Sequence, residues 1–203
     1  MPRISQQQKD QNRAKIVTAA GERFRARGVD GVGIDDLMSA AGMTHGGFYN
    51  HFSSKQDLAV EVFRQGFIDS LNEVDRMIGE HPMSARDALD TIIDSYVTAD
   101  HRDDLEHGCA SAALVVDAAR HGSAAQAEYG RGLHGYLSAI TDLFVAIADK
   151  PEQDRDREHA RESAIGVFSE MVGALVIARA TATADPALSN EVISSTRRRL
   201  RRH

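Results

Sequence analysis

The chain has 203 residues, 42% of them apolar, with no Trp, one Cys and a net charge of −6 that divides as +2 over residues 1–54 and −8 over 55–203. That length suits one or two domains with a sizeable core, the 5% aromatic content argues against a strand-rich fold, and a mildly basic head on an acidic body permits a polyanionic partner for the head alone. One cysteine excludes an internal disulfide, no run approaches the roughly 18 apolar residues of a membrane span, and the start lacks a signal peptide's apolar stretch, so a cytoplasmic protein without membrane contact is expected.

In chain order, apolar spacings of three and four predict a helix over about residues 9–27, with Ile16, Val17, Ala20 and Phe24 on one face and Gly28 as its stop. A short helix follows over about 34–41, then the turn Gly42-Met43-Thr44, then a second short helix over about 45–50. Leu37, Ala41, Met43 and Phe48 supply the apolar crossing, Gly42 suits a positive φ, and Thr44 is placed to cap the second helix. Two short helices joined by a Gly-containing turn are a helix-turn-helix. Ser53 and Gln56 have capping-box spacing and open a long helix through Leu58, Val62, Phe63, Phe67, Leu71 and Val74.

Ser84 and Asp87 form the expected cap of a helix whose apolar face is Leu89, Ile92, Ile93, Tyr96 and Val97. Further stripes are Leu133, Leu137, Ile140, Phe144 and Ile147 over about 123–148, then Ile165, Phe168, Met171, Val172, Leu175 and Val176. Leu188, Val192, Ile193 and Leu200 mark a last helix with Pro186 in its first turn. The other prolines, Pro2, Pro82 and Pro151, also fall at edges of helical periodicity. The expected fold is all-α: an N-terminal three-helix helix-turn-helix domain over 1–54, followed by a larger helical domain over 55–203 for ligand binding and dimerisation.

The stretch Ile34-Asp35-Asp36-Leu37-Met38-Ser39-Ala40-Ala41-Gly42-Met43-Thr44-His45-Gly46-Gly47-Phe48-Tyr49-Asn50-His51-Phe52-Ser53-Ser54-Lys55-Gln56-Asp57-Leu58 closely resembles the DNA-binding segment of the TetR family of transcriptional regulators. Ile16, Ala19, Ala20, Phe24 and Gly28 of the preceding helix fit as well. The resemblance implies a homodimeric, non-enzymatic repressor that binds double-stranded operator DNA and leaves it when a small-molecule effector occupies the C-terminal domain. It implies phosphate contacts for Tyr49, His51 and Lys55, whose side chains all donate hydrogen bonds, so losing Lys55 would lower the salt dependence of binding by about one ion. Thr44, His45, Gly46 and Gly47 occupy the start of the recognition helix, and His45 and Asn50 are its richer polar side chains. Gly33 stands where the family often carries Ser or Thr as a cap, and Met38 where a small residue is usual.

Effector candidates are Phe67, Ile93, Tyr96, Val116, Tyr136 and Leu137, apolar stripes into which two phenols bring hydroxyls. Cys109 joins them because Gly108-Cys109-Ala110 resembles a stretch of the ligand domain in some family members, where a cysteine senses oxidants; that chemistry needs an accessible thiolate. Phe168, Met171, Leu175, Val192 and Ile193 are the dimerisation candidates. His101, His107, Cys109 and His121 match no tight metal spacing, so the region is expected to be a polar loop with neither metal nor cofactor. Arg197-Arg198-Arg199 and Arg201-Arg202 are expected to be cations at a helix C-terminus, and residues 154–158 a solvated first turn. No P-loop, dinucleotide fingerprint or nucleophile elbow occurs. The alternative is a helical small-molecule-binding protein or enzyme with a vestigial DNA-binding head.

Overall fold

The computed structural model describes residues 5–79, 84–148 and 154–202, so Pro2, Pro82 and Pro151 lie outside the described residues. The described elements are all helical. They are α1 (Gln6–Arg27), α2 (Ile34–Ala40), a 3₁₀ helix (His45–Asn50), α3 (Lys55–Gly79), α4 (Ala85–Tyr96), α5 (Ala99–Asp103), α6 (Ala110–Ala113), α7 (Val115–Arg120), α8 (Gly122–Ile147), α9 (Asp154–Thr181) and α10 (Pro186–Leu200). They pack as two compact units, Met1–Ile68 with Leu105–Gly130, and Asp69–Asp104 with Arg131–His203.

The first unit is built on the apolar faces read from the sequence. Ile16, Ala20 and Phe24 of α1, Leu37 and Met38 of α2, Phe48, and Leu58, Val62 and Phe63 of α3 close one core. Ala110, Leu114, Ala118 and Ala125 join it from residues far along the chain. Phe24, Phe48 and Phe63 are fully buried. Truncating any of them to Ala costs about 3–5 kcal/mol by the usual cavity and transfer terms.

Local chemistry sets the ends. Gly28 (φ 72°) stops α1 and Gly42 (φ 71°) makes the sharp turn after α2, both in the left-handed region that favours glycine. The cap of α3 lies one residue later than its Ser53/Gln56 spacing predicts. Ser54 accepts from the Leu58 amide through its carbonyl (3.2 Å) and from the Asp57 amide through Oγ (3.1 Å), because the helix begins at Lys55. Gly33 caps α2 with extended backbone and no side-chain bond, and a Cβ there meets nothing within 4 Å. Gly33→Ser is therefore expected to stabilise the protein by about 0.3–1 kcal/mol, read as a raised midpoint in denaturant.

The turn from α1 to α2 is held from two directions. The Val29 amide donates to Asp117 Oδ1 of α7 at 2.7 Å. Lys55 Nζ donates to the carbonyl oxygens of Val29 (3.0 Å) and Val32 (3.2 Å). Nearby, Arg25 Nε donates to the Glu106 carbonyl at 2.6 Å, and His121 Nε2 is buried 3.7 Å from both Asp30 and Asp117 without a hydrogen-bond partner. Among the described residues no group of three His, Cys, Asp or Glu is placed to hold a metal ion.

In the second unit α9 and α10 pack together, Ser189 Oγ donating to the Ala178 carbonyl at 2.8 Å. Pro186 opens α10 and Ser84 caps α4 by accepting from the Asp87 amide, both as expected, and the Asp185 side chain caps α10, which the sequence reading missed. Residues 101–103, expected as the start of a polar loop, belong instead to the helix α5. Thr98 caps its start, and Arg179 donates to the carbonyls of His101, Arg102 and Asp104 at its end.

His101 donates from Nδ1 to the Tyr96 carbonyl (2.8 Å), and burial holds its imidazole below the ordinary value. His51 is lowered too, by burial and then by the charges of Lys9 and Arg13. A histidine lowered in the folded state stays neutral while its unfolded counterpart takes a proton near pH 6.5, so stability is present above that pH and lost as pH falls below it. Thermal melting should give a flat midpoint above about pH 7 and a decline below about 6.5, shallower in His101→Gln. A midpoint unchanged down to about pH 5.5 contradicts this assignment.

Candidate nucleic-acid interface

The residues singled out for DNA lie in the first unit, in the 3₁₀ helix or within a few residues of it. Thr44, His45, Gly46, Tyr49 and Asn50 are exposed, Gly47 and His51 half-buried. Phe48 faces the opposite way into the core, with Phe52 5.8 Å from it and Tyr49 edge-on at 5.3 Å. The residues alternate because a tight helix of six residues puts one side inward and leaves the rest to solvent. Tyr49 is 61% exposed, an unusual place for a large ring with no partner surface of its own.

Two details differ from expectation. Thr44 stands at the cap position with extended backbone, yet its side chain makes no capping bond; the Gly47 amide is taken by the Thr44 carbonyl at 2.9 Å instead. The element is a 3₁₀ helix, whose i→i+3 bond uses the carbonyl directly.

The glycines are informative through what surrounds them. A Cβ on Gly46 meets nothing within 4 Å, and one on Gly47 meets Met38 Cε at 3.5 Å and Thr44 Oγ1 at 3.9 Å, both ordinary contacts. Neither has positive φ. The fold of this chain therefore demands glycine at neither position, and close approach by another surface is the remaining physical reason for them.

The charged residues divide. His45 Nδ1 donates to Asp35 Oδ1 at 2.5 Å across the two helices, which orients the exposed ring and leaves Nε2 as the atom for base contact. His51 has its Nδ1 buried without a partner, which places the proton of the neutral ring on Nε2 and makes that atom the donor. Its carbonyl accepts from Arg13 Nη1 at 2.9 Å, and Arg13 also pairs with Glu61 (3.3 Å) and lies 4.1 Å over the Phe52 ring. Lys9 and Arg13, neither of them singled out in the sequence, thus supply positive charge at His51. Only their spacing of four residues on α1, one turn apart, signals it.

Lys55 is placed differently from a simple phosphate ligand, since its ammonium already serves the Val29 and Val32 carbonyls. Lys55→Met is expected to cost about 1–3 kcal/mol of stability in chemical denaturation. Weakened DNA binding with unaltered stability would instead assign the ammonium to phosphate alone.

The effector candidates fall in both units. Phe67, Cys109 and Val116 belong to the first unit, and Ile93, Tyr96, Tyr136 and Leu137 to the second. Val116 is a correction: it is 49% exposed, on the outer side of the short helix α7, and lines no interior. The others are buried. Phe67 packs edge-on against Tyr129 at 5.2 Å, and Tyr136 against Phe168 at 5.3 Å. Cys109 is buried and shares a 2.8 Å hydrogen bond with Ser111 Oγ, so the solvent access that thiol sensing needs is missing. Burial pushes the neighbouring Tyr129 phenol up to about 12, and its hydroxyl donates to the Ser111 carbonyl at 2.8 Å.

The dimerisation candidates require a larger correction. Phe168, Met171, Leu175 and Ile193 are all buried within one chain, because their three- and four-residue spacing lies on the side of α9 and α10 turned to the unit's own core. Only Val192 is half-exposed. The opposite side of α9 is apolar as well: Ile165 and Ile177 are exposed, Val172 and Val176 half-exposed, and a Cβ on Gly166 or Gly173 meets nothing within 4 Å. Leu188 of α10 is exposed beside them in sequence register with Val192.

The described elements are all helical, and the second half of a helix-turn-helix lies at the surface, the arrangement by which helix-turn-helix folds present a helix to a groove. Residues 16–62 match the family of bacterial regulatory proteins, tetR family. The HTH-type transcriptional repressor KstR2 of Rhodococcus jostii is 28% identical over 113 residues, 56% of this chain and 52% of its own length. The chain spans about half or less of the length of the curated relatives it matches. Among solved structures, a TetR transcriptional regulator from Chloroflexus aurantiacus superposes with a TM-score of 0.77 at 22% identity, covering 97% of this chain and 95% of that one. The regulator FadR from Bacillus subtilis, in complex with stearoyl-CoA, superposes with a TM-score of 0.64 at 18% identity over 90% of this chain and 96% of its own.

Proposed function

We propose that this chain is a cytoplasmic, non-enzymatic transcriptional repressor that binds operator DNA as a homodimer and leaves it when a small effector binds. The observation that carries the reading is the surface from Thr44 to Asn50, exposed and backed by a fully buried Phe48, with two glycines that its own packing does not require. In this reading residues 1–54 are the DNA-binding part, with Gly46 and Gly47 at the groove floor and His45 and Asn50 toward base edges. Tyr49 and His51, with Lys9 and Arg13 beside it, meet phosphates. Residues 55–203 bind the effector and dimerise through the exposed face of α9 and α10. Two recognition elements would enter successive major grooves about 34–36 Å apart. An effector that prefers another spacing lowers DNA affinity through that difference alone.

The repressor KstR2 supports the regulatory direction, and FadR with stearoyl-CoA supports a ligand within this fold. The test is a gel shift on DNA flanking the chain's own gene across a salt series. Specific binding whose logarithm falls linearly with the logarithm of salt is expected. Equal affinity for flanking and scrambled DNA would overturn the reading.

A further inference from the structure

Four arginines near the C-terminus converge on one groove. Arg197, Arg198, Arg201 and Arg202 of α10 and its end line an opening of about 610 Å³ against the end of α4. Its apolar lining includes Val97 and Ile193, both buried, and Thr98 and Ser194 add hydroxyls. The favourable field of a helix C-terminus accounts for cations in a last turn, but not for this convergence. Arg199, in the same turn, is directed elsewhere and pairs with Glu170 at 3.0 Å.

The guanidinium groups are oriented and only partly used. Asp94 accepts from Arg197 Nε at 2.7 Å and from Arg201 Nη1 at 2.5 Å, and Asp90 lies 3.6 Å from Arg201 Nε. Each guanidinium carries five N–H donors, so these pairs fix the planes of two arginines and leave several donors open. Arg198 donates to Ser195 Oγ at 3.1 Å, and neither it nor Arg202 pairs with a carboxylate among the described residues. Four cations facing two carboxylates leave an excess of positive charge in a chain whose net charge is −6.

We propose that this groove is a binding site for a small phosphate-bearing anion, its phosphate or diphosphate held by the guanidinium forks and its organic body lying over Val97 and Ile193. Arginine forks match phosphate oxygens in geometry and charge, and an anion relieves the mutual repulsion of the four side chains. The site is separate from the effector candidates, none of which lines it. On α10 it uses the stripe Ser194, Arg197, Arg198, Arg201, offset from Leu188 and Val192, so an interface on that apolar side leaves the groove open.

The test is calorimetric titration of the full chain with inorganic pyrophosphate, and separately with inorganic phosphate and sulfate, at one ionic strength. Saturable binding of pyrophosphate below about 1 mM is expected, tighter than sulfate, and weakened at least about tenfold in the double variant Arg198→Gln/Arg202→Gln. Both arginines are exposed and lack carboxylate partners among the described residues, so the variant should melt like the parent, and the melting curve checks it. Absence of saturable heat up to about 5 mM, or equal affinity in parent and variant, overturns the proposal. Equal response to sulfate and pyrophosphate overturns it too, since that is screening rather than recognition.

Discussion

Gly46→Leu is expected to leave the protein folded and to lower operator affinity by at least about 100-fold, or about 2.7 kcal/mol. The fold tolerates the side chain because a Cβ there meets nothing within 4 Å and the backbone has no positive φ. What the leucine does meet, in the functional reading proposed above, is the floor of the major groove, where a misplaced apolar branch clashes and strands base-edge donors without partners. The change is neutral in charge, so the salt dependence of the residual, non-specific binding should be unaltered. Circular dichroism and a melting curve establish the fold, and a gel shift reads the affinity. A variant that binds as tightly as the parent would remove the 3₁₀ helix from the interface.

Ile177→Glu/Leu188→Glu is expected to yield a folded monomer with at least about 100-fold weaker operator binding, since two half-site contacts no longer reinforce each other. Both side chains are exposed in the single chain, at 53% and 42%, so the new carboxylates remain solvated in the monomer and become unpaired buried charges only in the dimer. Leu175→Glu is the contrasting control. Leu175 is fully buried within one chain, and a carboxylate there should unfold the second unit rather than divide two copies. Sedimentation separates the cases. A double variant that remains dimeric sends the interface elsewhere.

The helix-turn-helix was legible because its signals are local. Gly28 and Gly42 take the positive φ that their positions imply, and Leu37 and Phe48 are buried at the crossing. The cap by Ser84 depends on a neighbour three residues away. Depth was not legible in the same way. Apolar period reveals which residues share a face, but α9 is apolar on two faces, and only packing decides that Phe168 and Leu175 point inward while Ile165 and Ile177 point out. Contacts between distant residues escaped altogether. No spacing within residues 1–54 announces that Lys55 serves carbonyls more than twenty positions earlier, or that Ala110, Leu114 and Ala118 complete the head's core.

The Val29 amide has a consequence of this kind. Its hydrogen-bond acceptor lies 88 positions downstream, on Asp117, so its partner is not set by the helix in which the amide nearly sits. Exchange of that one proton with deuterated solvent needs the Asp117 carboxylate to leave the turn, whereas the amides of α1 exchange when α1 itself frays. A single backbone position at the edge of the head thus serves as a clock for the release of one distant carboxylate. Whatever slows or speeds that clock acts on the hold of Asp117, and not on the stability of the helix beside it.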